Sequence, residues 1–374
     1  MRKLAKQFRW KAVGLVLFAV MAGGAGLLTA DTPDANAAIT FKAQAGGGEG
    51  GVSVNLYFPD QIMVHQGDTV EWTNPYEEPH TVSIGTLPPG DPAEPHDAAV
   101  AASFDGTKAF SSGFITKGSK FSVTFKSLGV FTFNCLIHPG MEVDVFVLGP
   151  GATVPAQNDA TSAAVKADLD KAIAVGTKQL AELKVPAATK NADGTSNHTV
   201  MTPPGLPYQG SLVGVAVMKF VNPRLQIGVG DSVTWVAESF VPHTVTFMPP
   251  SGPPAVIDPF VNVLPPGSFD GSQYQTAIFG GVPAFSNTTK FTMTFPKAGT
   301  YTYICLLHSD QGMAGVIVVG PAGSGAPAGG GAITPPSTGD GGLLDAGSGA
   351  WMMYAGLLLL VAATTAGVYV AVKR

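Results

Sequence analysis

Cysteine is scarce in this sequence: 374 residues hold two, Cys135 and Cys305. Both stand in a C-x-x-H setting, CLIHPGM at 135–141 and CLLHSDQGM at 305–313, in equivalent places of a repeated unit, which argues against joining them as a disulfide. Charge is sparse too, at 13% of residues. Between residues 38 and 372 there are 24 acids against 14 bases, a net −10 that disfavours nucleic acid and anionic lipid as partners. Long helices are also disfavoured. Gly (47) and Pro (30) make up about a fifth of the chain, which suits short strands joined by turns.

The terminal segments read as targeting and anchoring. Residues 1–37 run from basic MRKLAKQFRWK through an apolar stretch, Ala12 to Leu28, to Ala35-Asn36-Ala37, the order of a secretory signal peptide with cleavage after Ala37. An uncleaved anchor helix is the alternative. No Arg-Arg pair occurs there, which points to export unfolded, with any metal acquired outside. Residues 351–372 carry no charge and would make about 33 Å of helix, enough to cross a hydrocarbon core of about 30 Å. Lys373 and Arg374 (373–374) then form a cytoplasmic tail, and the basic ends place the bulk of the chain on the extracytoplasmic side of a cell membrane. Residues 322–350 are a Gly/Pro-rich tether. Its PPSTG resembles a cell-wall sorting signal of the LPxTG kind, with proline where leucine belongs.

The interior is a duplication. PDQIMVHQGDTVEW at 59–72 lies over NPRLQIGVGDSVTW at 222–235, and the same offset of 163 carries PHTV from 79–82 onto 242–245. KFSVTFKSLGVFTFNC at 120–135 then matches KFTMTFPKAGTYTYIC at 290–305, offset by 170. Alternation such as Phe121, Val123, Phe125 or Tyr301, Tyr303 marks strands, and several in each copy predict two all-β, two-sheet sandwiches, at 38–150 and 198–321. The linker 151–197 contains one amphipathic helix with Val165, Leu169, Ala172, Ile173, Leu180 and Leu183 on one face, stopped by Pro186. It would pack on one sandwich or bridge both.

The repeat also aligns chemistry. Each copy holds a histidine after a proline, then Cys, a second His and Met: His80, Cys135, His138 and Met141, then His243, Cys305, His308 and Met313. Two imidazoles and a thiolate with a weak axial thioether are the ligand set of a mononuclear type 1 copper. Structural zinc takes four Cys or His ligands, and calcium or magnesium takes oxygen, so the sulfurs favour copper. The ligands come from distant parts of the chain, so the pocket exists only in the folded sandwich, which can impose one geometry on Cu(II) and Cu(I). His65, His96 and His198 have no counterpart in the repeat and are expected at the surface.

With GDTVEW, PHTV and the C-x-x-H loops in place, both copies resemble the cupredoxins, the plastocyanin, amicyanin and azurin family, over about 230 residues. The first loop is similar to that of amicyanin, the second to those of plastocyanin and pseudoazurin. The resemblance implies a Greek-key β-sandwich with one mononuclear type 1 copper in each copy, and electron transfer through a partly exposed edge of His138 or His308 to redox partner proteins, among them membrane respiratory or photosynthetic complexes. Tandem cupredoxin domains also build oxidases and nitrite reductases, which use a histidine beside the cysteine to reach further copper. Here Asn134 and Leu136, and Ile304 and Leu306, flank the cysteines. Copper delivery is the remaining rival, although it calls for open or Met-rich sites. The first copy is the more acidic, net −7 against −1, and Glu77 and Glu78 before His80 could steer a basic donor or acceptor or simply form a solvated loop.

Overall fold

The computed structural model describes residues 38–237, 241–247, 267–269, 271, 278–280 and 288–321. The expected signal (1–37), tether (322–350), membrane span (351–372) and tail (373–374) lie outside these residues. Among the described residues no helix is long and apolar enough to cross a membrane.

The first copy is built from β1 (Thr40–Glu49), β2 (Val52–Phe58), β3 (Gln61–His65), β4 (Thr69–Thr73), β5 (Ser83–Ile84), β6 (Phe110–Ser111), β7 (Lys120–Thr124), β8 (Gly129–Asn134) and β9 (Glu142–Leu148). Strands β2, β1, β4 and β7 form one sheet and β3, β9, β8, β5 and β6 the other. Pairing is parallel between β1 and β4 and between β3 and β9, and antiparallel elsewhere. The period-two pattern explains the layers: in β4, Val70 and Trp72 are buried while Thr69, Glu71 and Thr73 are not.

A helix, α1 (Ala163–Glu182), leads to the second copy, whose described strands are β10 (Thr189–Lys190), β11 (Ser196–Met201), β12 (Leu206–Tyr208), β13 (Ser211–Val217), β14 (Arg224–Gly228), β15 (Ser232–Val236), β16 (Pro242–Thr244), β17 (Thr246–Phe247), β18 (Gly267–Ser268), β19 (Ile278–Gly280), β20 (Lys290–Thr294), β21 (Gly299–Ile304) and β22 (Ala314–Gly320). Strand β11 runs parallel to β15, and β14 to β22, as β1 and β3 do with their partners in the first copy. The cores match as well. Trp72 lies 5.4 Å from Phe133, and Trp235 lies 5.4 Å from Tyr303. Phe133 and Tyr303 each point inward two residues before a cysteine, so the same pleat turns Cys135 and Cys305 inward at the strand ends.

The two copies share a sheet. Strand β13 pairs antiparallel with β2, Val215 opposite Val54, giving the continuous order β12-β13-β2-β1-β4-β7. Every residue of β2 is buried, and the Asn55 side-chain amide donates to Val213 O at 2.8 Å across the seam. Helix α1 lies over this seam: Val165 and Ala172 pack with Val52, Val54, Val215 and Val217. Ser162 caps it, its hydroxyl accepting the Val165 N–H at 3.2 Å. At Gly176 a Cβ would meet Val52 at 2.5 Å, so only glycine allows this approach. The helix therefore bridges both sandwiches. Each buried valine contributes about 2 kcal/mol to that union.

Candidate metal centres

In the first copy the chain leaves β8, places Cys135, and folds back at once. The Met141 N–H donates to His138 O at 3.0 Å, and the Cys135 N–H to Met141 O at 3.0 Å. His80 enters from the loop after β4, its N–H donating to Ile115 O at 3.3 Å and its carbonyl accepting from Ile115 at 2.7 Å. The Nδ1 atoms of His80 and His138 then stand 3.1 Å apart, with Cys135 Sγ at 3.9 and 3.4 Å from them. In the second copy Cys305 Sγ lies 4.0 Å from His243 Nδ1 and 3.3 Å from His308 Nδ1. Within each trio the ligand atoms all fall within 4.8 Å of one another. Met141 and Met313 are buried in the same cores as the cysteines they follow.

Several supporting residues carry no sequence signal of their own, although PHTV held two of them. The Thr81 N–H donates to Cys135 Sγ at 3.4 Å, and the Thr244 N–H to Cys305 Sγ at 3.3 Å. Their hydroxyls accept from Leu136 and Leu306 N–H at 2.9 and 2.7 Å, pinning the residue after each cysteine. Gly46, with φ +72°, makes room for His80: a Cβ there would sit 1.9 Å from its Nε2.

The electrostatics suit a cation. Burial works to raise the Cys135 thiol, yet the charge and hydrogen bond of His138 bring it well below its ordinary value; Cys305 behaves alike beside His308. Burial also opposes charge on His138, but Cys135 and then Glu78 hold its proton and lift it to about 9. His80 and His243 go the other way, lowered chiefly by burial. Each pocket thus shifts its cysteine toward the thiolate, one imidazole toward the neutral form and the other toward the protonated form, whose proton a metal would displace. His80 Nε2 and His243 Nε2 are buried with no hydrogen-bond partner among the described residues, and no carboxylate belongs to either trio. Two nitrogens facing a sulfur at these separations, with no oxygen donor, fit copper and not a hard cation.

The surroundings differ from the expectation of exposed histidine edges. His138 is 8% exposed and His308 5%. The cause is the domain seam, where each loop covers the other copy. Pro139 O accepts from Leu212 N–H at 3.0 Å, and a Cβ at Gly140 would meet Gly210 O at 2.7 Å, so this loop is packed under the β12–β13 turn. Glu78, expected as a steering charge or part of a solvated loop, is buried: its two oxygens face His138 Nε2 at 3.3 Å and Gln311 Nε2 at 2.8 Å. Burial would raise its carboxyl, but the His138 hydrogen bond and the charges of His308, His138 and His80 hold it at about 2. Glu77 is paired with Lys117.

Of the unmatched histidines, His96 is at the surface. His65 and His198 are half-buried braces. The Asp68 carboxylate accepts from the Ile39 and His65 N–H groups at 2.9 and 2.8 Å, and Asp231 takes the Ser196 and Gly228 N–H groups at 2.7 and 2.9 Å with His198 Nε2 at 3.1 Å.

Fold and donor set together define a tandem cupredoxin, with one His-Cys-His copper-binding group in each of two sandwiches. The chain belongs to the family of copper binding proteins of the plastocyanin/azurin type, whose family model matches residues 47–148 and 211–320. It is similar to amicyanin of Paracoccus denitrificans, 31% identical over 108 residues that make 29% of this chain and 63% of that relative. It thus spans less than two thirds of that relative's length. Amicyanin of Paracoccus versutus is 26% identical over 148 residues, 38% of this chain and 97% of the relative. Among solved structures, the oxidized form of plastocyanin from Dryopteris crassirhizoma is 17% identical, with a TM-score of 0.22, and the match covers 33% of this chain and 99% of that one.

Proposed function

We propose that the protein is a membrane-anchored extracytoplasmic electron carrier. Each domain would hold one type 1 copper cycling between Cu(II) and Cu(I), bound by His80, Cys135, His138 and Met141 and by His243, Cys305, His308 and Met313. One observation carries this reading: two imidazole Nδ1 atoms and a cysteine sulfur converge in a buried pocket, twice, with matching backbone donors on the sulfur.

When bound, copper supplies a one-electron couple. The chain's residues supply the rest. The buried pocket excludes water and extra ligands, so little rearranges between oxidation states. Thr81 and Thr244 donate N–H groups to the cysteine sulfurs, which holds each sulfur in place and tempers its electron density. Carrier chemistry is favoured over oxidase or nitrite reductase chemistry because no histidine adjoins Cys135 or Cys305 to lead toward another metal. Closed pockets likewise favour retention of copper over its delivery. The anchor rests on residues 1–37 and 351–374, and redox proteins are the partners this reading calls for.

The test is copper titration of the purified full chain with optical and EPR spectra. Two equivalents should bind and give intense visible absorption that bleaches on reduction. Cys135→Ser and Cys305→Ser should each lose one centre and keep the other. A colourless oxidised protein overturns the reading. Alkaline extraction and external protease digestion of cells test the anchor and its orientation.

A further inference from the structure

The two ligand loops meet at the domain seam, and a single carboxylate spans the meeting point. Glu78 faces His138 Nε2 at 3.3 Å through one oxygen and accepts from Gln311 Nε2 at 2.8 Å through the other. The Gln311 backbone N–H donates to His308 O at 3.2 Å. All four residues are buried. Taking a carboxylate out of water is unfavourable unless strong hydrogen bonds replace its hydration. The rest of the seam, between β2 and β13, is held by backbone pairing, buried valines and the neutral Asn55 amide, and contains no other buried carboxylate among the described residues. The polar bridge therefore calls for a reason other than adhesion.

Resting on the reading that each domain binds a type 1 copper, we propose that Glu78 and Gln311 are positioning residues that couple the two centres, so that one electron passes between them inside the molecule along His138, Glu78, Gln311 and His308. One electron leaves Cu(I) in one domain and reduces Cu(II) in the other; no bond forms or breaks and no proton changes place. The His138 Nε2 edge faces Glu78, His308 is buried with its carbonyl bonded to Gln311, and bonded and hydrogen-bonded atoms carry electronic coupling farther than empty gaps. No domain motion is needed, because backbone pairing of β2 with β13 and the Leu212 N–H to Pro139 O bond at 3.0 Å fix the seam.

The experiment uses the full-length, copper-loaded protein. A substoichiometric one-electron pulse from a photoexcited ruthenium complex reduces part of the copper, and the two optical signatures are followed at several protein concentrations. Pulsed EPR of the fully oxidised protein gives the distance between centres. The expected result is redistribution at a rate independent of protein concentration, slowed at least tenfold in Glu78→Ala and Gln311→Ala with both visible bands and the interspin distance retained. Exchange that scales with protein concentration overturns the proposal, and so do variants that exchange at the wild-type rate. Slower exchange with a lengthened interspin distance also overturns it, since the bridge would then only hold the domains together. These failures leave the copper assignment standing. Absence of visible bands in the oxidised wild type removes both.

Discussion

The ligand loops at 135–141 and 305–313 use the same donors at different lengths. In the first, Pro139 and Gly140 separate His138 from Met141, and Gly140 turns back at φ +80°. In the second, Ser309–Gln311 form a short 3-10 turn closed by Gly312 at φ +77°. Both return Met to the same bond, Met O accepting from the Cys N–H at 3.0 and 2.9 Å. The two extra residues thus leave the return of Met to Cys unchanged and alter the loop's outside. They lift Gln311 to the carboxylate of Glu78, while the shorter loop tucks under the neighbouring turn. A type 1 pocket tolerates loops of either length; what each loop touches beyond the pocket is what differs between the copies.

That comparison can be broken most sharply at Gly46. Gly46→Val drives a side chain into His80 and should lower copper affinity of the first domain by about 10- to 100-fold with the second unaffected, as read by chelator competition. Next comes pH. Because His138 keeps its proton up to about 9, the first site should release one proton per copper at neutral pH, and its affinity should rise about tenfold per pH unit until about 9. His308 is likewise raised, against burial, by Cys305 and the field of Glu78, so copper binding at the second site should also release a proton; calorimetry in buffers of different ionisation enthalpy measures both. A smaller effect belongs to the seam. Val215→Ala and Val54→Ala should each cost about 2 kcal/mol in denaturant unfolding, and since the strands are shared both should lower one common transition.

Glu78 predicts an acid limb. Its folded pKa, about 2, lies below the ordinary 4.5, so its contribution is complete above 4.5 and is lost as pH falls toward 2. Glu78→Gln should flatten the stability of the metal-free protein over that window. The smallest change is expected from Thr81→Val and Thr244→Val. Each removes a hydroxyl acceptor and should cost about 1 kcal/mol in thermal melts, with equal losses in the two copies if the sites are as alike as their hydrogen bonds.

How much of this was legible in the chain follows from what a repeat can carry. His80 with His243 and Cys135 with Cys305 stand in register, so their shared role was readable, and the period-two runs placed both cysteines at strand ends. The seam was not readable. VSVNLYF in β2 contains Ser53 and Asn55 and looks like a strand with a wet face; its burial on both sides depends on β13 and α1, more than a hundred residues away. Glu78 misled for the same reason. An acid before Pro79 is ordinarily solvated, and its burial depends on partners distant in sequence, His138 at 3.3 Å and Gln311, 233 positions on, at 2.8 Å. Lone histidines such as His65 and His198 lack a pattern, and the bonds that brace them, the His65 backbone N–H to Asp68 and His198 Nε2 to Asp231, require the strands in place.

Sharing a sheet changes the thermodynamics of a duplicated chain. Were the copies separate beads, each metal ion would protect only its own half against heat. With β2 and β13 laced together, a ligand that favours the native state of either half must favour the whole, so loading one pocket alone should raise the melting temperature of both.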